Sequence, residues 1–191
     1  SAFNVASNLS NSTDPNALLT AAYVNSVQSV FAGYSTFFLV PGNAVSAGNR
    51  TWTWGDGAGN TISYKWTENN DENCVTVSLS GPQFVNGTYY EVCEKKDGTA
   101  GWMKLFDPQN NGELVFEVNW TADASGGGTM ATIDHDSDTR QEVIWNADGS
   151  GTFKLFEGSS LTYQSNWNEV GAGSFIEYDS QGGILDQGSW G

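Results

Sequence analysis

A chain of 191 residues, 38% hydrophobic and 13% aromatic, has the length and the apolar inventory for one large domain with its own core, which excludes global disorder. Its 22 acids against 7 bases leave a formal charge of −15, and the longest basic run is Lys95-Lys96, so the surface repels phosphate backbones and nucleic acid is excluded as a partner. Nothing approaches the ~18 apolar residues that a spanning helix needs, the longest apolar run being Phe37-Phe38-Leu39-Val40-Pro41.

In chain order, residues 1–13 are polar, with Ser7-Asn8-Leu9-Ser10-Asn11-Ser12-Thr13, and are expected to form a tether left after signal processing, compatible with a lipid anchor upstream. Asp14-Pro15 then offers an N-cap with proline at the first helical position. Leu19, Tyr23, Val27, Val30 and Tyr34 recur at helical spacing behind it, so one helix is expected over residues 14–34, plugging or flanking a sheet. From Arg50 the period changes to two. Ile62, Tyr64 and Trp66 alternate with Ser63 and Lys65, and Leu114, Phe116, Val118 and Trp120 alternate with Val115, Glu117 and Asn119. Asn, Asp and Gly punctuate the runs, so residues 14–191 are expected to form a single all-β domain. Its form is an antiparallel up-and-down meander of about 10–12 strands, closed or partly open as a barrel, because long sheets curl to hide their edges.

Cys74 and Cys93 are the only cysteines. With a turn in the segment from Gly81 to Gly87, pairing by residue sum sets Cys74 opposite Cys93, Val75 opposite Val92 and Val77 opposite Tyr90. A cross-strand disulfide follows, closing a loop of about 19 residues and contributing about 3 kcal/mol. The alternatives are two free buried thiols in a reducing cytosol or a metal site, for which two cysteines without a nearby His make poor ligands. The disulfide favours a secreted, periplasmic or cell-surface location.

Trp145-Asn-Ala-Asp-Gly-Ser-Gly-Thr-Phe-Lys-Leu-Phe is echoed by Trp167-Asn-Glu-Val-Gly-Ala-Gly-Ser-Phe-Ile-Glu-Tyr, and the next strand ends at Trp190; an earlier, degenerate copy starts at Trp120. This pattern resembles MORN-type hairpin repeats over about residues 120–190, although the usual Tyr-x-Gly-x-Trp opening is missing. The resemblance implies stacked hairpins serving as a scaffold for protein or lipid contacts. Residues 50–119 resemble the irregular hairpins of calycin or lipocalin-like barrels, a likeness that rests on strand number and carries no function by itself.

Chemistry is restricted. His135 is the only histidine, which removes Ser-His-Asp and Cys-His schemes and His-based zinc sites, and no phosphate-cradling Gly-x-x-x-x-Gly-Lys loop occurs. Carboxylates on strands (Glu113, Glu117, Glu142, Glu157, Glu177) could hydrolyse glycosides, but no local pattern pairs any two. Asp134, Asp136 and Asp138 alternate in a loop with Glu142 behind them, a spacing that suits calcium; Thr139 stands where a calcium loop has glycine, and a solvated acidic turn is the alternative. No other cofactor is required. Trp52, Trp54 and Trp66 lie on two successive strands and are candidates to bind a ligand, against ordinary core packing.

Three functions remain, with a non-catalytic envelope protein that holds a small, mostly apolar ligand in a barrel interior expected first. A surface binding module for glycan or protein is the second. A carboxylate-dependent enzyme on the same scaffold is the third.

Overall fold

The computed structural model describes residues 7–32, 38–40, 42–43 and 45–191, the side chains of residues 31, 32, 85 and 86 excepted. Helices α1 (Ser7–Ser10) and α2 (Pro15–Ala32) are followed by β1 (Val45–Gly48), β2 (Thr51–Gly55), β3 (Thr61–Glu68), β4 (Glu72–Gly81), β5 (Phe84–Lys95) and β6 (Ala100–Asp107). Then come β7 (Glu113–Ala122), β8 (Gly128–Asp134), β9 (Thr139–Trp145), β10 (Gly151–Glu157), β11 (Ser160–Trp167), β12 (Gly173–Tyr178) and β13 (Ile184–Trp190). Strand order equals chain order from β1 to β13, so the meander is an antiparallel sheet that is open, not closed. The strand that sequence patterning misses is β1, because Val-Ser-Ala-Gly is only four residues long, has one large apolar residue and is exposed throughout. Contacts divide the chain into two compact units, one joining the N-terminal helices to Trp120–Gly191 and the other comprising Tyr34–Asn119.

In the unit of Tyr34–Asn119, the β4–β5 register matches residue-sum pairing: Cys74 faces Cys93, Val75 faces Val92 and Val77 faces Tyr90. The two cysteines form a disulfide with their Cα atoms 4.1 Å apart. Because directly opposed residues share a face, one face of β2 to β6 collects Tyr64, Val75, Val77, Leu79, Val92 and Met103, all buried. The other face carries Thr53, Ser63 and Ser78 in one row and Lys65, Thr76, Glu91 and Lys104 in the next. The β1–β2 turn needs left-handed backbone at both Asn49 (φ 48°) and Arg50 (φ 54°), the conformation of tight two-residue hairpins.

In the other unit, the Asp14 carboxylate accepts the amides of Asn16 at 2.8 Å and Ala17 at 3.4 Å, the cap expected from Asp14-Pro15. The buried side of α2 agrees with the expected one at Val27 and at Tyr23, which packs on the sheet, and departs from it at Leu19. Ala17, Thr20, Ala21, Val24 and Val27 are covered, whereas Leu19 is 42% exposed and Leu18 43%; Tyr34 lies outside the described residues. The sheet beneath presents large rings: Tyr23 stacks on Phe153 at 5.0 Å, and the Thr20 hydroxyl meets the Tyr163 hydroxyl at 3.0 Å. The segment expected as a tether is described from Ser7. There Leu9 is fully buried, and the Asn8 amide donates to the Glu169 carbonyl at 2.5 Å.

The sequence repeat is a packing device. Trp145, Trp167 and Trp190 end alternate strands, and each indole N–H donates to a carbonyl in the preceding turn, of Gly126 (3.1 Å), Gly149 (2.9 Å) and Gly171 (2.6 Å). Each ring also lies across the backbone of the glycine directly opposite it, which opens the preceding strand of the same hairpin. A Cβ at Gly128 would come within 2.5 Å of the Trp145 ring, and Gly151 and Gly173 stand in the same relation to Trp167 and Trp190. Glycine is needed there for close approach rather than for its torsion freedom.

Replacing both cysteines (Cys74→Ser with Cys93→Ser) should lower stability by about 3 kcal/mol, from the lost constraint on the unfolded chain. Urea unfolding monitored by circular dichroism measures this, and a midpoint equal to that of the parent would show that the register holds without the bond.

Candidate functional site

The β2–β3 register sets Trp52 opposite Tyr64 and Trp54 opposite Ile62, and the Trp66 amide donates to the Arg50 carbonyl at 2.9 Å. Trp66, Trp52 and Trp54 therefore occupy three consecutive rows, one tryptophan per row, at the β2–β3 end of the face that also carries the buried Tyr64, Val75, Val77 and Val92. All three are half-buried, in contrast to Tyr64 between them at 1% exposure. Tyr64 meets Trp52 edge-on at 5.9 Å, and Phe38 meets Trp66 edge-on at 5.7 Å. On the outer side of Trp52, β1 places Ser46 directly opposite it. The three residues singled out in the sequence are thus brought together, and Phe38 and Tyr64 extend the set.

Polar groups stand at both ends of the strip. Past Trp66, Glu68 takes Arg50 at 2.5 Å on one carboxylate oxygen and Lys96 at 2.7 Å on the other. The Lys96 ammonium and then the Arg50 guanidinium hold the Glu68 pKa at about 2. Past Trp54, Asn60 is buried at 2% exposure and donates to Asp56 (2.6 Å) and to Gln83 (3.0 Å), while its carbonyl accepts the Gln83 amide (3.2 Å). One side chain thereby ties the β2–β3 turn to the β4–β5 turn. Its fit is tight, since a Cβ at Gly81 would fall 2.5 Å from the Asn60 carbonyl oxygen, and Gly81 holds φ at +143°. Hydrogen bonds, first from the Asn60 side chain and then from the Ala58 amide, keep the Asp56 carboxyl below its usual range.

Two phenols in the row of Trp52, on the same face of the sheet, are held neutral. Burial first, and then the neighbouring tyrosine, push both Tyr64 and Tyr90 up to about 12. The Tyr64 hydroxyl has no hydrogen-bond partner among the described residues.

In the acidic loop the side chains are engaged in turn geometry. One Asp134 oxygen accepts the amides of Asp136 and Ser137, both at 3.0 Å, which makes it the pivot of its own turn. Asp138 takes a left-handed φ of 51° and its carbonyl accepts the Gly158 amide at 2.7 Å. Glu142 lies on β9 beside Arg140 at 3.4 Å. Among the described residues no group of three or more His, Cys, Asp or Glu side chains is placed to hold a metal ion.

Of the strand carboxylates, Glu117 faces Lys104 at 3.7 Å and Glu113 accepts from Asn110. Burial raises the carboxyl of Glu94, a residue that sequence patterning did not single out. Glu94 and Glu68 stand on either side of Asn73 on the tryptophan face. Opposed pKa shifts on one face mark an acid and a base in many hydrolases, yet both oxygens of Glu68 are committed to cations, so it makes a poor base or nucleophile. No protein-family model matches the chain, and no curated protein matches it.

Two outcomes follow for the strip's supports. Asn60→Ala should cost about 1–3 kcal/mol by stranding the Asp56 and Gln83 partners, read by thermal unfolding; a smaller change than Ser46→Ala produces would contradict the role given to it. Tyr64 and Tyr90 should contribute stability that is complete below pH 10, their ordinary value, and lost as the pH rises toward 12. Phenolate absorbance and circular dichroism recorded together across that window should show late ionisation coinciding with unfolding, and Tyr64→Phe should remove part of it.

Proposed function

We propose that the protein is a non-catalytic binding module of the cell exterior or envelope that takes a neutral glycan on the tryptophan strip of β2 and β3. The observation that supports this best is the arrangement of Trp66, Trp52 and Trp54 in three consecutive rows on one face, half-buried and bordered by polar groups. Indole faces stack on the C–H faces of sugar rings, and charged or amide side chains nearby accept and donate to the hydroxyls. The disulfide is in keeping with an oxidising compartment.

The other readings fit less well. A small apolar ligand in a barrel interior needs a closed wall, and the strand order is that of an open meander. In the unit that carries the helices, the face toward α2 is filled by Val24, Val27, Phe153, Tyr163 and Phe175. A hydrolase would need a free carboxylate opposite Glu94, and Glu68 is held by Arg50 and Lys96.

Affinity electrophoresis through gels containing soluble neutral polysaccharides tests the proposal. The parent should be retarded by at least one polymer, and Trp52→Ala should weaken binding about tenfold or more, as removal of a central aromatic anchor does. A chain that no neutral polysaccharide retards, while native mass spectrometry finds a lipid-sized adduct, would overturn it in favour of the interior-ligand reading.

A further inference from the structure

Resting on that reading, we propose that the ligand is an extended, unbranched, uncharged oligosaccharide of at least three sugar units, lying along the axis of β2 and β3 with one ring on each tryptophan. Same-face positions on a strand are two residues apart, about 6.5–7 Å, so three consecutive rows set the outer tryptophans about 13–14 Å apart along the strands. Trp52 and Trp54 share β2 while Trp66 stands on β3, so the line of rings shifts sideways by one interstrand spacing, about 4.8 Å, toward its Trp66 end. A single pyranose covers one row. A line of platforms this long selects a chain that presents flat faces in succession, whereas a branched or compact glycan reaches one or two of them.

The termini of the strip limit its length. At one end the Arg50, Glu68 and Lys96 cluster stands beyond Trp66, and at the other the Asp56–Asn60–Gln83 network stands beyond Trp54. Charge decides the class of sugar. With 22 acids against 7 bases the chain repels uronate and sulfate groups, and the two cations nearest the strip are already paired with Glu68. Beside the middle ring, on the same face of the sheet, Tyr64 is fixed by burial and meets Trp52 edge-on, so the platform is formed before ligand arrives.

Isothermal titration of the whole chain with cello-, xylo-, manno- and chito-oligosaccharides of two to six units tests this. For the series that binds, affinity should rise about tenfold or more between the dimer and the trimer or tetramer and then level off. Trp54→Ala and Trp66→Ala should each remove that rise, and Trp54→Phe should restore most of it by keeping a flat ring; thermal unfolding of each variant reports its folding separately. Equal affinity for disaccharide and hexasaccharide would overturn the three-ring geometry while leaving a glycan module standing. Tighter binding to oligouronates would overturn the uncharged class. Binding to none of the four series would overturn both this inference and the glycan reading beneath it.

Discussion

Strand register is the constraint on which everything else here depends. In an antiparallel pair the side-chain period is two, so a slip of one residue moves every side chain to the opposite face. The β4–β5 register that puts Val75 against Val92 also puts Cys74 against Cys93, and the β2–β3 register that buries Tyr64 also lines up Trp52, Trp54 and Trp66. A slip at either place would dissolve the disulfide or scatter the tryptophans onto two faces. Register is in turn held by short turns whose backbone needs are met by particular residues, such as Asn49 and Arg50 between β1 and β2.

Many polar residues that look like chemistry serve these turns. Asp123, Asn146, Asn168 and Asp179 each exchange two backbone hydrogen bonds with the residues that follow and open the next strand. Asp134 does similar work with its side chain between β8 and β9. An acidic loop with oxygen at alternate positions is therefore as well explained by turn geometry as by a cation. The same economy applies to tryptophan: Trp145, Trp167 and Trp190 are used up in clasping glycines, a contact in which Trp52, Trp54 and Trp66 are not found among the described residues.

The functional reading turns on that difference. A tryptophan whose indole N–H and ring face are both occupied by backbone is structural cement. Three that stand half-buried in a row, next to a short strand of small residues and between two polar clusters, are suited to hold something flat. Rigidity matters as much as exposure, because a platform fixed by Tyr64 and by the Asn60 tie loses little freedom on binding.

Alternation, turn residues and residue-sum pairing were enough, from sequence alone, for the antiparallel meander, the Asp14 cap and the Cys74–Cys93 bond, because these are local properties or follow from one hairpin. The repeat at Trp145, Trp167 and Trp190 was legible too, but not its cause, since it takes the strand register to set each ring on the glycine directly opposite it, Gly128, Gly151 and Gly173. The covered side of α2 was decided by tertiary structure: a helix can be ranked by hydrophobicity from its sequence, but which side faces the rings of Phe153 and Tyr163 is set by the sheet, and Ala17, Ala21 and Val24 are buried ahead of Leu19 beside the stacked Tyr23. Whether the meander closes, which oxygens of Glu68 are free, and that Glu94 is the carboxyl raised by burial were likewise settled only in three dimensions, because each depends on strands and side chains far apart in the chain.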